Sequence, residues 1–146
     1  TRRGRFITRP RAKGRCSTNL LKQCELLLRK AQADETLVDK VIDDPAIADE
    51  LVGYHCQQAV EKLLKARLVD LGVNYPKTHN LQTLVELLEV QGKQLPADLA
   101  DLDLLTPFAT IYRYEDPPQV GKFDRKTARE FIRRMRAWVE TQLTPP

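Results

Sequence analysis

The sequence predicts an all-α protein, an antiparallel up-and-down bundle of four main helices plus one short helix. Apolar residues recur at three- and four-residue steps after residue 17, which is the period of amphipathic helices. No segment alternates apolar and polar residues with the period of two that is typical of strands. The 146 residues are also enough to bury a core without disulfide or metal support.

The first two helices are delimited by capping residues and by proline. Residues 17–19 are good N-cap residues before an apolar repeat that continues to about Ile42. Asp44 is predicted to cap the second helix, with Pro45 at its first position. This helix is expected to cover about residues 46–71.

Glycines and short polar residues delimit the next elements. Gly72 is a natural end for the second helix, and a short third helix is expected over about residues 80–90, closed by Gly92.

A fourth helix is predicted to begin near Pro96 and to be kinked or restarted at Pro107, with Thr106 as a cap. Its apolar residues are Leu99, Leu102, Leu105, Phe108 and Ile111. Asp124 is expected to cap a last helix that ends near Gln142.

The net charge of +4 is unevenly distributed. Residues 1–15 hold seven basic residues and no acidic one, whereas the other 131 residues hold 17 basic and 20 acidic residues. Net charge therefore does not by itself indicate a nucleic-acid-coating protein. We expect residues 1–16 to be a disordered basic arm, or alternatively a nucleic-acid-binding tail, and residues 17–146 to be a single helical domain.

The location and the absence of a metal are predicted from simple patterns. The sequence contains no run of about 18 apolar residues, so no membrane span is predicted. The basic N-terminus is not followed by an apolar segment, so a secretory signal is not expected either. The three cysteines lack a CxxC spacing and are expected to be reduced thiols of a cytoplasmic protein. We predict no metal and no cofactor, because the two histidines are 24 residues apart.

The second helix has an unusual polar stripe. At about 100° per residue, Tyr54, Gln58, Glu61 and Lys65 fall within one narrow arc. One interpretation is a solvated surface stripe with an ion pair between Glu61 and Lys65. The other is a functional site.

Three motifs follow one another along the chain. Residues 54–66 contain an aromatic residue, two glutamines, Ala, Glu-Lys and Lys-Ala. Residues 76–81 contain a Thr-His-x-Leu segment, and residues 105–108 with 112–114 contain Leu-Thr-Pro-aromatic and Arg-Tyr segments. In type and order these motifs resemble those of the HEPN-domain family (higher eukaryotes and prokaryotes nucleotide-binding), whose signature helix is similar to residues 54–66, and the resemblance covers about residues 18–143.

The resemblance implies a helical bundle, commonly a homodimer, and several possible functions. Many members are partners of a minimal nucleotidyltransferase in toxin–antitoxin pairs. Others are metal-independent endoribonucleases that carry an arginine followed four to six residues later by a histidine. That pair is absent from this chain, so whether the protein is an enzyme is left open. His79 remains the candidate for a histidine supplied from elsewhere in the fold.

Candidate site residues have both functional and structural interpretations. His79 lies at a helix start, where it either fixes the loop or acts as an acid or base. Arg113, between Tyr112 and Tyr114, either pairs with a carboxylate or holds a phosphate while a tyrosine stacks on a base. His79 and Arg113 are thus weak catalytic candidates.

The last helix carries a dense basic face. Residues 122–136 contain seven basic and two acidic residues, while residues 16–121 and 137–146 contain 10 basic and 18 acidic residues. This face is either simply solvated or contacts phosphate or an acidic partner. Arg125 and Arg129 are its candidate phosphate ligands.

The leading hypothesis is a HEPN-domain module that binds nucleotide or RNA phosphate, forms a homodimer and partners a minimal nucleotidyltransferase. The predicted binding residues are Gln58, Glu61, Lys65, Tyr112, Arg113, Tyr114, Arg125 and Arg129. A metal-independent endoribonuclease toxin and a purely structural dimerisation module are the alternatives.

Overall fold

The computed structural model describes residues 18–108 and 123–143, and these residues form four α-helices and two short 3-10 helices. The α-helices are α1 (Thr18–Val41), α2 (Asp49–Asp70), α3 (Leu81–Val90) and α4 (Arg125–Gln142), and the 3-10 helices are Ala97–Leu99 and Thr106–Phe108. No strand occurs within these ranges, and the predicted all-α class is confirmed. The predicted basic arm at residues 1–16 lies outside the described residues.

The centre of the bundle is α2, which packs against each of the other three α-helices. Its buried apolar side includes Val52, Cys56, Ala59, Val60, Leu63 and Leu64, as the apolar stripe predicts. The antiparallel neighbour α1 brings the Cys24 thiol to 3.5 Å from the main-chain oxygen of Ala66. Because α2 is enclosed on most sides, polar residues bordering its apolar side become buried as well.

Three predicted helix ends are confirmed in detail. Gly72 has φ of 71°, and the amide of the next residue, Val73, donates to the main-chain oxygen of Leu68 at 2.9 Å. This bond closes the C-terminus of α2 in the way that a left-handed glycine permits. The side chains of Asn80 and Asp124 each accept hydrogen bonds from two amides in the first turns of α3 and α4.

The start of α2 differs from the prediction. The helix begins at Asp49 instead of near residue 46, and Asp44 does not cap it. The Asp44 carboxylate instead accepts from the amide of Ala46 at 2.9 Å and so stabilises the turn between the two helices. Arg125 from α4 also holds this turn, since its guanidinium donates to the main-chain oxygens of Val41, Ile42, Asp44 and Ile47.

The predicted fourth helix is wrong for the described part of its range. Between residues 96 and 108 only the two 3-10 helices form, and Ile111 lies outside the described residues. The Thr106 hydroxyl donates to the main-chain oxygen of Leu102 at 2.9 Å, and Pro107 has no amide hydrogen with which to extend a helix. Leu99, Leu102 and Leu105 are nevertheless buried, so the apolar period identified core residues and not a helix.

Two phenylalanines pack together beside α2. The Phe108 ring packs on Gly53 of α2, where a Cβ atom would lie only 2.6 Å from ring carbons. Phe123 contacts Phe108 with ring centroids 4.8 Å apart. These two residues, the described ones on either side of positions 109–122, thus lie close to each other in the fold.

Candidate functional site

The candidate site is a polar network centred on the buried Glu61 of α2. The side chain of Glu61 is only 4% exposed. One carboxylate oxygen lies 2.8 Å from His79 Nδ1 and 3.4 Å from Gln57 Nε2. The other lies 3.4 Å from Lys65 Nζ and 3.5 Å from Gln58 Nε2. One carboxylate thus holds four polar side chains at the edge of α2.

The loop before α3 presents His79 to this carboxylate. Gln57 donates to the main-chain oxygen of His79 at 2.9 Å, and Thr78 accepts from the amide of Asn80 at 3.0 Å. The His79 side chain is 55% exposed even though its Nδ1 contacts a buried group. Because an ionised carboxylate can only accept, Nδ1 carries the hydrogen. Nε2 has no hydrogen-bond partner among the described residues and is available to an outside group.

Lys65 and Tyr75 complete the network on its other side. The Lys65 ammonium lies 5.4 Å from the centroid of the Tyr75 ring, within range of a cation–π contact. Burial raises the pKa of the Tyr75 hydroxyl, and the negative charge of Glu61 raises it further. Tyr75 therefore remains a neutral phenol at physiological pH, with an aromatic face beside a cation.

This geometry decides between the two interpretations of the polar stripe. Gln58 and Glu61 are buried, Lys65 is mostly buried and Tyr54 is half-buried. The solvated-surface interpretation is wrong for Gln58 and Glu61. The pairing of Glu61 with Lys65 is confirmed, but it forms within a cluster that also contains His79.

A second histidine–carboxylate pair, which no sequence pattern indicates, involves His55. His55 Nδ1 lies 2.9 Å from the carboxylate of Asp34, which also pairs with the ammonium of Lys62. His55 and Lys62 are seven residues apart, so they share one side of α2. Asp34 comes from α1, and only the packing of the two helices brings it to them.

The basic face of α4 is largely occupied within the protein. Arg129 binds Asp39 through two nitrogens and also contacts Glu35, which Arg136 binds as well. The hydrogen bond from Arg129 lowers the pKa of Asp39. Arg125 donates to Asp49 at 2.8 Å in addition to the turn described above. Arg125 and Arg129 therefore have structural partners, and their predicted role as phosphate ligands remains a prediction.

Tyr112, Arg113 and Tyr114 lie outside the described residues, so their predicted role stays a prediction. Phe108, the last described residue before them, packs on Gly53, which precedes Glu61 by eight residues, or about 12 Å along an α-helix. Phe108 thus lies about two helical turns from the Glu61 network.

The two cysteines that the structure describes show no sign of reactivity. Cys24 and Cys56 are buried and free, and Cys16 lies outside the described residues. Burial raises the pKa of Cys56 to about 12, which keeps it as an unreactive thiol.

Within residues 18–108 and 123–143, no three His, Cys, Asp or Glu side chains come together as a set of metal ligands. None of the helices in these ranges is sufficiently long and apolar to cross a bilayer.

The fold and the network define a helical domain whose central helix carries a buried Gln-Gln-Glu cluster linked to a histidine. The family model of the HEPN domain matches residues 24–143, and the chain belongs to this family. Membership assigns it to a family of nucleotide- and RNA-related modules. Comparisons with curated proteins and with solved structures gave no match for this chain.

Proposed function

We propose that this HEPN domain binds a nucleotide or RNA phosphate at the Glu61 network, through hydrogen bonds to the phosphate from Lys65 and from the imidazolium form of His79, which carries a hydrogen on both ring nitrogens. The observation that carries the proposal is that one buried carboxylate holds both donors, at 3.4 Å from Lys65 Nζ and 2.8 Å from His79 Nδ1. Glu61 is a positioning residue, because it orients the ammonium and the imidazole without itself contacting the ligand. Gln58, whose amide contacts the same carboxylate, offers a further polar group.

The energetics of the network favour a binding role over a purely stabilising one. Burying a carboxylate costs several kcal/mol of solvation, and buried ion pairs add little net stability compared with apolar residues of similar size. The Lys65 ammonium beside the Tyr75 ring is well suited to a nucleotide, since the ammonium and the nearby His79 can contact its phosphate and the ring can stack on its base.

We further propose that the domain acts as the partner of a minimal nucleotidyltransferase and forms a homodimer. Family membership supports both proposals. Several large leucines of α1 and α2 are exposed, which favours a helix-to-helix interface. They are Leu20, Leu26, Leu37 and Leu51. A neighbouring open reading frame for a nucleotidyltransferase, and co-elution of the two purified proteins, would support the partnership.

The phosphate site predicts which substitutions weaken nucleotide binding. By isothermal titration calorimetry, AMP should bind His79→Ala and Lys65→Met about tenfold more weakly, because each variant loses a charge-assisted hydrogen bond worth about 1.5 kcal/mol. Lys93→Gln is the matched control, as it removes one positive charge outside the network, and it should bind normally. Absence of saturable AMP binding by the unmodified protein, or equal affinity in all four proteins, contradicts this site.

A second candidate function is metal-independent RNA cleavage, and the Glu61–His79 pair specifically favours it. A histidine oriented at Nδ1 by a carboxylate can accept a proton at Nε2. The proton would come from a ribose 2′-hydroxyl, whose oxygen bonds to phosphorus as the bond from phosphorus to the 5′-oxygen breaks. The 5′-oxygen leaves as a hydroxyl, with a proton taken from solvent water. Incubation with total RNA in EDTA should then give 2′,3′-cyclic phosphate ends, which His79→Ala and Arg113→Ala should lack. Intact RNA, or cleavage that persists in His79→Ala, rejects this function.

A further inference from the structure

A second cluster of polar and charged side chains lies on α2, away from the Glu61 network. It consists of Asp34 of α1 with His55 and Lys62 of α2. One oxygen of the Asp34 carboxylate is 2.9 Å from His55 Nδ1, and the other contacts Lys62 Nζ. Asp34 is nearly buried, whereas the side chains of His55 and Lys62 are 30% and 22% exposed. The carboxylate is thus the inner member, and the two donors form the outer part.

The two donors retain hydrogen-bonding capacity toward solvent. His55 Nε2 has no hydrogen-bond partner within residues 18–108 and 123–143, and it can donate to a phosphate in the imidazolium form, which carries a hydrogen on both ring nitrogens. The Lys62 ammonium has three hydrogens, of which Asp34 takes one. The ring edge of Tyr54 packs against His55, with centroids 5.2 Å apart and planes at 73°. A ring held by both a carboxylate and an aromatic neighbour presents its free nitrogen in a defined direction.

The cluster borders the same polar edge of α2 as the proposed phosphate site. Glu61 and Lys62 are consecutive, so they point about 100° apart around the helix axis. Gln58 lies between these directions, and its side chain is nearly buried. The two clusters therefore lie on either side of Gln58 on the surface of α2. Their separation is on the order of 10 Å, the width of an α-helix with its side chains.

We propose that Asp34, His55 and Lys62 form a second phosphate subsite, so that the ligand crossing α2 is a single RNA strand instead of a mononucleotide. This inference rests on the proposed phosphate site at Glu61. Successive phosphates of a strand are separated by at least the rise of about 3.4 Å per nucleotide, so a strand of a few nucleotides can span about 10 Å. A phosphate at each cluster would place the intervening nucleotides along this edge of α2, with Tyr54 at the border of their path.

Ligand length tests the second subsite separately from the first. The probes are AMP, which can occupy only one subsite, and the 5′-phosphorylated RNA tetranucleotide pApApApA, which can reach both. In His55→Gln the amide can still donate to Asp34, but the outward Nε2 is lost. This variant should bind AMP normally and the tetranucleotide about fivefold more weakly, as expected for one lost phosphate contact.

Lys62→Gln provides an independent measurement through the salt dependence of binding. Its slope of log affinity against log salt for the tetranucleotide should fall by about 0.7, the value for one phosphate contact on a single strand. Lys93→Gln is again the matched control and should keep the full slope. Circular dichroism and thermal melting of both α2 variants establish that they are folded.

The possible outcomes separate the two proposals. Normal tetranucleotide affinity and slope in His55→Gln and Lys62→Gln, with AMP binding still dependent on His79, overturns the second subsite and leaves the first in place. Equal weakening of AMP and of the tetranucleotide also overturns it, because the cluster would then act only through the fold. Failure of the unmodified protein to bind either probe rejects both sites.

Discussion

Replacing Glu61 with alanine is expected to lower the free energy of unfolding by about 3 kcal/mol, because removal of one partner from a buried ion pair leaves the other without compensation. Lys65, which is mostly buried, loses its carboxylate, and the side-chain amides of Gln57 and Gln58 lose an acceptor. Urea denaturation followed by circular dichroism measures the effect as a shift of the midpoint at constant slope.

His79→Ala is the matched control for this prediction. It removes the exposed partner of the same carboxylate, and a partly exposed ion pair contributes only about 0–1 kcal/mol. Glu61→Gln should give an intermediate loss, since the amide keeps one oxygen for His79. If Glu61→Ala is no less stable than His79→Ala, the carboxylate is not the centre of the network.

Glu35→Ala is expected to lower the free energy of unfolding by about 4 kcal/mol. The Glu35 side chain is 2% exposed and accepts from two arginines of α4, Arg129 and Arg136. Its removal leaves two mostly buried guanidinium groups of α4 without their shared carboxylate at the contact with α1. The same urea denaturation measures this loss. In the variant, Arg129 keeps its contact with Asp39 and Arg136 keeps its contact with Glu140, and these contacts limit the loss of stability.

An exposed ion pair on α4, the helix that supplies the arginine partners of Glu35, is the control for this prediction. Glu130 pairs with Arg133 three residues away, and both side chains are more than half exposed. Glu130→Ala should change stability by less than about 1 kcal/mol, since solvent screens such pairs. Similar losses for Glu35→Ala and Glu130→Ala would show that the buried triad of charges does not hold α1 against α4.

Most of the fold follows from local patterns in the sequence. The bounds of α1, α3 and α4 agree with the predicted ones to within a few residues, because amphipathic period, N-cap residues and C-terminal glycines act locally. The start of α2 and the predicted fourth helix were wrong. The helical period of apolar residues does not reveal the interactions involved. Contacts from Arg125 hold the turn before α2, and a 3-10 helix forms at Pro107 in place of the predicted fourth helix.

The site was predictable only in part. Gln58, Glu61 and Lys65 were selected from their spacing and from the family resemblance, and the structure brings them together with His79. Burial of the stripe was not predictable, since a polar arc on a helix does not show whether a neighbouring loop covers it. His55 was not predicted as a site residue, because its partner, Asp34 of α1, is 21 residues away in the sequence.

The amino-acid order determined the helical class, the caps and the family membership, since these depend on short-range periodicity and on motifs. Tertiary structure decided how each charge is used. It committed the arginines of α4 to Glu35, Asp39 and main-chain oxygens, and it left His55 and His79 as donors held by buried carboxylates. The physical reason is that the energy of a charge depends on its burial and on its partner, and both are set by helices that meet only in the folded chain.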